Sequence, residues 1–109
     1  MTWTYSVSDL ATSEKDQIRL EVADTDVNNP LLQDEEILQF ISVERNFWGA
    51  ASRCCEQIAR QFLRKADVKL GRAMTITYSK MAAQYEQMAV AFRRKALGTD
   101  VPYAGGISI

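Results

Sequence analysis

Residues 24–35 read DTDVNNPLLQDE, and how this stretch is read decides the fold. Asp24, Asp26 and Asn28 stand at positions 1, 3 and 5 of a twelve-residue window that closes on Glu35. That is most of an EF-hand calcium loop. The sixth position needs a sharp turn, and Asn29 tolerates one. Pro30 does not allow it, because a residue before proline is pushed toward extended geometry. Leu32 falls where a polar or water-linked ligand belongs, and Leu31-Leu32 reads as a plug for a core. Glu35 is also claimed by a helix start, and no second loop accompanies this one. The stretch is therefore a turn between two helices and binds no metal. Asp, Asn and Pro are ordinary turn residues.

Working outward, Ser13 followed by Asp16 resembles an N-cap, and a short helix over 14–23 places Ile18 and Val22 on one face. After the turn, Gln33 or Asp34 opens a second helix of about ten residues. Glu35 and Glu36 occupy its first turn, where the helix dipole favours anions. Ile37, Leu38, Phe40 and Ile41 make its apolar face. The third helix, over 45–65, has the strongest periodicity. Phe47, Ala51, Cys54, Ile58 and Phe62 recur at spacings of three and four, and Trp48, Cys55, Ala59 and Leu63 widen the stripe. Arg53, Arg60 and Arg64 mark its wet side. A fourth helix over 79–96, capped by Thr77 or Ser79, presents Met81, Tyr85, Met88, Phe92 and Ala96 and ends at Gly98. Between them Val68 and Leu70, then Met74, Ile76 and Tyr78, alternate with period two, which predicts a β-hairpin or an extended loop. The expected fold is mainly α, a small four-helix bundle in one domain. Residues 1–12 form an N-terminal arm, 13–97 the helical core and 98–109 an extended tail.

The chain has no histidine. That removes Ser-His-Asp and Cys-His catalysis, histidine metal sites and the usual proton carrier near neutral pH. Cys54 and Cys55 are adjacent and so poorly placed for a disulfide with each other, and a reducing compartment is the simpler reading. They lack metal-ligand company and sit on the apolar stripe, so they read as core. Thiol chemistry at either is the one enzymatic reading left, and no cofactor is implied. The first 17 residues carry no basic and apolar leader pattern. No stretch approaches the roughly 20 apolar residues that span a bilayer. A soluble, non-exported protein is expected.

The net charge of −1 hides a division. Residues 1–44 hold ten acids against Lys15 and Arg19, while 45–109 hold eleven bases against four acids. Either the halves neutralise within one subunit, or they meet between subunits packed head to tail, which builds rings if the contact closes. On the second reading Asp24, Asp26, Glu35, Glu36, Arg53 and Arg60 are candidates for the subunit interface. Arg64, Lys65, Lys69 and Arg72 form a basic run suited to weak, non-specific contact with a phosphate backbone, or to plain solvation. Arg93-Arg94-Lys95 offset the dipole at the end of the fourth helix. Val101, Tyr103, Ile107 and Ile109 make the tail too apolar for a mere solubilising end and suit a docking segment.

Three stretches, ADTDVNNPLLQDEEI (23–37), ARQFLRKADVKLG (59–71) and TYSKMAAQYEQMAVAFR (77–93), together resemble the head–tail connector proteins of tailed double-stranded DNA bacteriophages, also called adaptor or head completion proteins. Their order and spacing over 13–97 carry the resemblance. It departs mildly at Gln33, where a small capping residue is more typical, and leaves the cap to Asp34. The resemblance implies a helical, non-catalytic subunit of a ring, usually dodecameric, beneath the portal protein at the head–tail interface of the virion. Such a ring extends the DNA channel and receives the next connector or tail protein; it assembles in the bacterial cytoplasm. The resemblance puts the tail at the portal and the loop after the third helix near passing DNA. The competing reading is a small cytoplasmic helical adaptor that binds a partner without forming a ring.

Overall fold

Ser13 opens the first helix as its side chain accepts a hydrogen bond from the Asp16 backbone N–H. In the computed structural model, which describes residues 2–67 and 71–100, the helices are α1 (Glu14–Glu21), α2 (Asp34–Glu44), α3 (Phe47–Asp67) and α4 (Arg72–Asp100). A 3-10 turn at Val7–Asp9 precedes them. The mainly helical, bundle-like class is as the periodicities predict. Among the described residues there is no strand.

α1 ends with Ala23 in the left-handed region at φ 61°. The Asp24 N–H reaches back to the Arg19 carbonyl at 2.9 Å and the Ala23 N–H to the Leu20 carbonyl at 3.3 Å, the paired bonds of a Schellman ending. That position favours glycine, and alanine there is strained. Ala23→Gly is expected to stabilise the protein by up to about 1 kcal/mol, since relief of left-handed strain exceeds the entropy cost of a glycine in the unfolded chain. Ala23→Val should destabilise it. Denaturant midpoints of the two variants check this, and an Ala23→Gly variant less stable than the parent would contradict it.

α2 begins at Asp34, one residue earlier than a cap on Asp34 would place it. Gln33 is the N-cap residue, and the Glu36 carboxylate accepts its backbone N–H at 2.8 Å. The helix stops at Arg45, left-handed at φ 56°, and the Asn46 side chain accepts the Trp48 and Gly49 N–H groups to start α3. The two helices are thus divided where a helix from residue 45 is predicted. Leu38 and Leu63, both assigned to buried faces from the sequence, are exposed.

α3 and α4 form a long antiparallel hairpin, the backbone of the molecule. The β-hairpin or extended loop predicted around Gly71 is not formed by Met74, Ile76 and Tyr78, which lie in the start of α4; its first half, Val68 and Leu70, lies outside the described residues. Met74 and Tyr78 fit a helix as well as a strand, because they continue the 4-3 ridge of Met81, Tyr85, Met88 and Phe92 backward by two turns. Tyr78 stacks on Phe62, ring centroids 5.9 Å apart, and Phe62 stacks in turn on Tyr85 at 6.0 Å. This packing overrides the weak helix propensity of Thr75, Ile76 and Thr77. Thr77 does not cap the helix; its hydroxyl donates to the Ala73 carbonyl inside it. α4 also passes through Gly98 to Asp100, so Arg93, Arg94 and Lys95 are not in its last turn. At 29 residues it is about 43 Å long.

Small residues let the hairpin close. Buried Ser52 on α3 donates its hydroxyl to the Ala89 carbonyl on α4 at 2.8 Å. Steps of seven residues in opposite directions from that pair set Ala59 against Ala82, both buried. Larger side chains fill the flanks: Ile58, Phe62, Tyr85 and Phe92 from the hairpin, with Ile18, Val22, Leu32 and Ile37 from α1, the turn and α2.

Candidate interaction surfaces

The acidic turn is organised around one buried cation. Arg19, on α1, is fully buried, and its guanidinium pairs with Asp24, donates to the Leu32 carbonyl at 2.9 Å and reaches Asp34 at 2.6 Å. Its Nε donates to the Thr4 carbonyl at 2.9 Å, and the Trp3 ring lies over it at 4.8 Å. Asp24 accepts further bonds from the Trp3 indole and from the N–H groups of Leu31 and Leu32. The would-be first calcium ligand therefore faces a guanidinium, and its oxygens are occupied. Asp26, the would-be third position, accepts the Asn28 N–H, and Glu35 accepts that of Thr2. Among the described residues no group of acids and cysteines is arranged to hold a metal ion.

The N-terminal segment is clamped to the same centre. The Asp34 carboxylate accepts from the Thr4 N–H at 3.0 Å and the Thr4 hydroxyl at 2.6 Å, and the Asp34 N–H donates to the Thr2 carbonyl at 2.6 Å. Burial alone would raise the Asp34 carboxyl, but the bonds from Thr4 and Arg19, with Lys15 near, hold it at about 2 against an ordinary 3.8. A carboxyl lowered on folding contributes stability above its unfolded value, and that contribution disappears as pH falls through the folded value. About 2 kcal/mol should accordingly be lost as the pH falls from about 4 to about 2. Denaturant midpoints of the parent and Asp34→Asn are expected to converge over that range. A gap that stays constant down to pH 2 would contradict the assignment.

The residues proposed for a subunit interface are divided by this arrangement. Asp24 is a correction: it is buried and saturated inside the subunit, so no neighbour can reach it. Glu36 is half-buried and engaged with the Gln33 N–H. Arg53 pairs with Glu44 at 3.3 Å and lies over the Phe40 ring, while Glu44 also holds Arg93 at 3.1 Å. Glu44 therefore neutralises part of the basic half from within. Asp26, Glu35 and Arg60 are exposed. Arg60 borders a shallow groove between α3 and α4 with Glu56, Leu63 and Glu86.

Of the basic run, Arg64 and Lys65 close α3 and Arg72 opens α4, so the hairpin brings these three to one end. Arg64 and Arg72 are exposed, and the Lys65 ammonium lies over the Phe62 and Tyr78 rings. Lys69 and the tail residues Val101, Tyr103, Ile107 and Ile109 lie outside the described residues. Lys95 sits over the Trp48 ring at 4.3 Å, a packing role where helix capping is predicted.

Cys54 and Cys55 are buried, and burial pushes each thiol up to about 12. Burial disfavours the thiolate form at both positions, as in a packed core. Among the described residues no helix is long and apolar enough to cross a membrane. Sequence reasoning misses Arg19 as the organiser of the turn. The available signal is that it and Lys15 are the only bases among the ten acids of residues 1–44. No protein-family model, no curated protein and no solved structure matches the chain.

Proposed function

We propose that the chain is a structural subunit of a virion, one member of a ring below the portal that joins the DNA-filled head to the tail and extends the DNA channel. The observation that carries this reading is the order and spacing of the stretches 23–37, 59–71 and 77–93. Physical features agree with it. The charge division survives folding at the surface: Asp9, Glu14, Glu21, Asp26 and Glu35 are exposed and have no ion-pair partner among the described residues. Exposed Arg60, Arg64, Arg72, Lys80 and Arg94 oppose them in the other half. Such a subunit suits head-to-tail packing. The basic hairpin end carries Arg64, Lys65 and Arg72 against exposed Asp67 at the close of α3, a balance that suits weak contact with a passing DNA backbone, lost as salt rises. The tail, including Val101, Tyr103, Ile107 and Ile109, is assigned to the portal.

Electron microscopy of the protein mixed with its portal tests the reading. A ring seated on the portal is the expected product. Portals without added density would sink the proposal and leave the ring-free helical adaptor.

A further inference from the structure

α4 carries two ridges of 4-3 spacing on opposite faces. The inner one is the core. The outer one runs Ile76, Lys80, Ala83, Gln87, Val90, Arg94 and Leu97, all exposed, with Val90 at 53% and Leu97 at 61%. It contains no acid. Lys80 and Arg94 have no ion-pair partner among the described residues. A shallow hollow at Val90 is lined by Glu86, Gln87, Ala91 and Arg94.

The complement lies on α2. Its outward side presents Glu35, Leu38, Gln39, Ser42 and Val43, all exposed, with Leu38 and Val43 each at 52%. It contains no base. These positions follow the i, i+3, i+4, i+7, i+8 pattern of an amphipathic face, here turned away from the subunit's own core.

We infer that the outer ridge of α4 docks the outward face of α2 from a second copy of this chain, with Leu38 seated in the hollow at Val90 and Glu35 facing Arg94. Antiparallel seating decides the register. Glu35 lies one turn before Leu38 and Arg94 one turn after Val90, so they meet, while Val43 falls between Gln87 and Ala83. Leu38 meets Val90, and the one acid of the α2 face meets a base of the α4 ridge. Each copy keeps one unused face, so the contact is heterologous and propagates until it closes or extends. Its use in a virion rests on the ring reading, but its physical basis is separate from it.

Cysteine cross-linking tests the contact. Chains carrying Leu38→Cys are mixed with chains carrying Val90→Cys at high concentration and oxidised; the native cysteines are buried. A covalent heterodimer is expected, well above that from Leu38→Cys mixed with Gln84→Cys, a site on the flank of α4. Adding Arg94→Glu to the Val90→Cys chain should reduce the product, and Glu35→Arg on the Leu38→Cys chain should restore it. A yield no greater than the Gln84 control, or one indifferent to both charge reversals, overturns the inference. A ring on the portal without this cross-link would retain the functional reading and discard the contact. The cross-link without a ring on the portal would do the reverse.

Discussion

Arg19→Met is expected to lower folding stability by about 3–5 kcal/mol, the cost of leaving one partner of a buried ion pair uncompensated. Against a total stability of roughly 5–15 kcal/mol for a domain, that removes about a fifth or more of it. Methionine fills much of the space, so the effect comes from charge and hydrogen bonds more than from a cavity. Asp24 would keep its bonds from Trp3, Leu31 and Leu32 while losing its counter-charge at 1% exposure. The Leu32 and Thr4 carbonyls would lose a donor. Arg19→Lys should recover little, because one ammonium cannot span Asp24, Asp34 and two carbonyls as a planar guanidinium does. Adding Asp24→Asn to Arg19→Met should recover part of the loss by removing the orphaned charge. Urea unfolding followed by helical circular dichroism checks the series. An Arg19→Met midpoint within error of the parent would contradict the buried-pair account.

The same residues show what a linear reading can and cannot supply. α3 is legible because its apolar residues satisfy only one period. The start of α4 is not, because Met74, Ile76 and Tyr78 satisfy two. Residues 74 and 78 are even-spaced, as a strand requires, and also four apart, as a helix requires. The discriminating signal is the seven-residue recurrence of Tyr78, Tyr85 and Phe92 beside Met74, Met81 and Met88, which extends one helix through the whole segment. The turn 24–33 is legible from Pro30 and the leucines, but its organiser is not. Arg19 joins a helix, the residue pair beyond its end and the start of the next helix, and such a convergence is a property of packing. The charge tally also treats every ionised residue as surface. Arg19, Asp24 and Asp34 are inside, so the tally assigns Asp24 to an interface it cannot join.

Ala82→Leu is expected to destabilise the protein by about 3 kcal/mol, at the upper end for overpacking a well-filled interior. Ala82 is fully buried on the α4 face that meets α3. Two turns away, the Ser52 hydroxyl reaches across to the Ala89 backbone carbonyl at 2.8 Å, so the helices approach closely there. Three added carbons at Ala82 have no space to enter. They must push α4 off α3, stretch the Ser52–Ala89 bond and disturb the Phe62 stack on Tyr78 and Tyr85. Ala91→Leu makes the same change further along the same helix at an exposed position. It should move the unfolding midpoint little, since surface substitutions generally fall within about 0.5 kcal/mol. The pair separates seam geometry from any general intolerance of α4 toward leucine. Equal losses in both variants would mean that close approach of α3 and α4 is not what the small residues provide. A large loss at Ala82 alone ties the closeness of the hairpin to its alanines. The outer ridge that presents Val90 and Arg94 then stands on a rigid support.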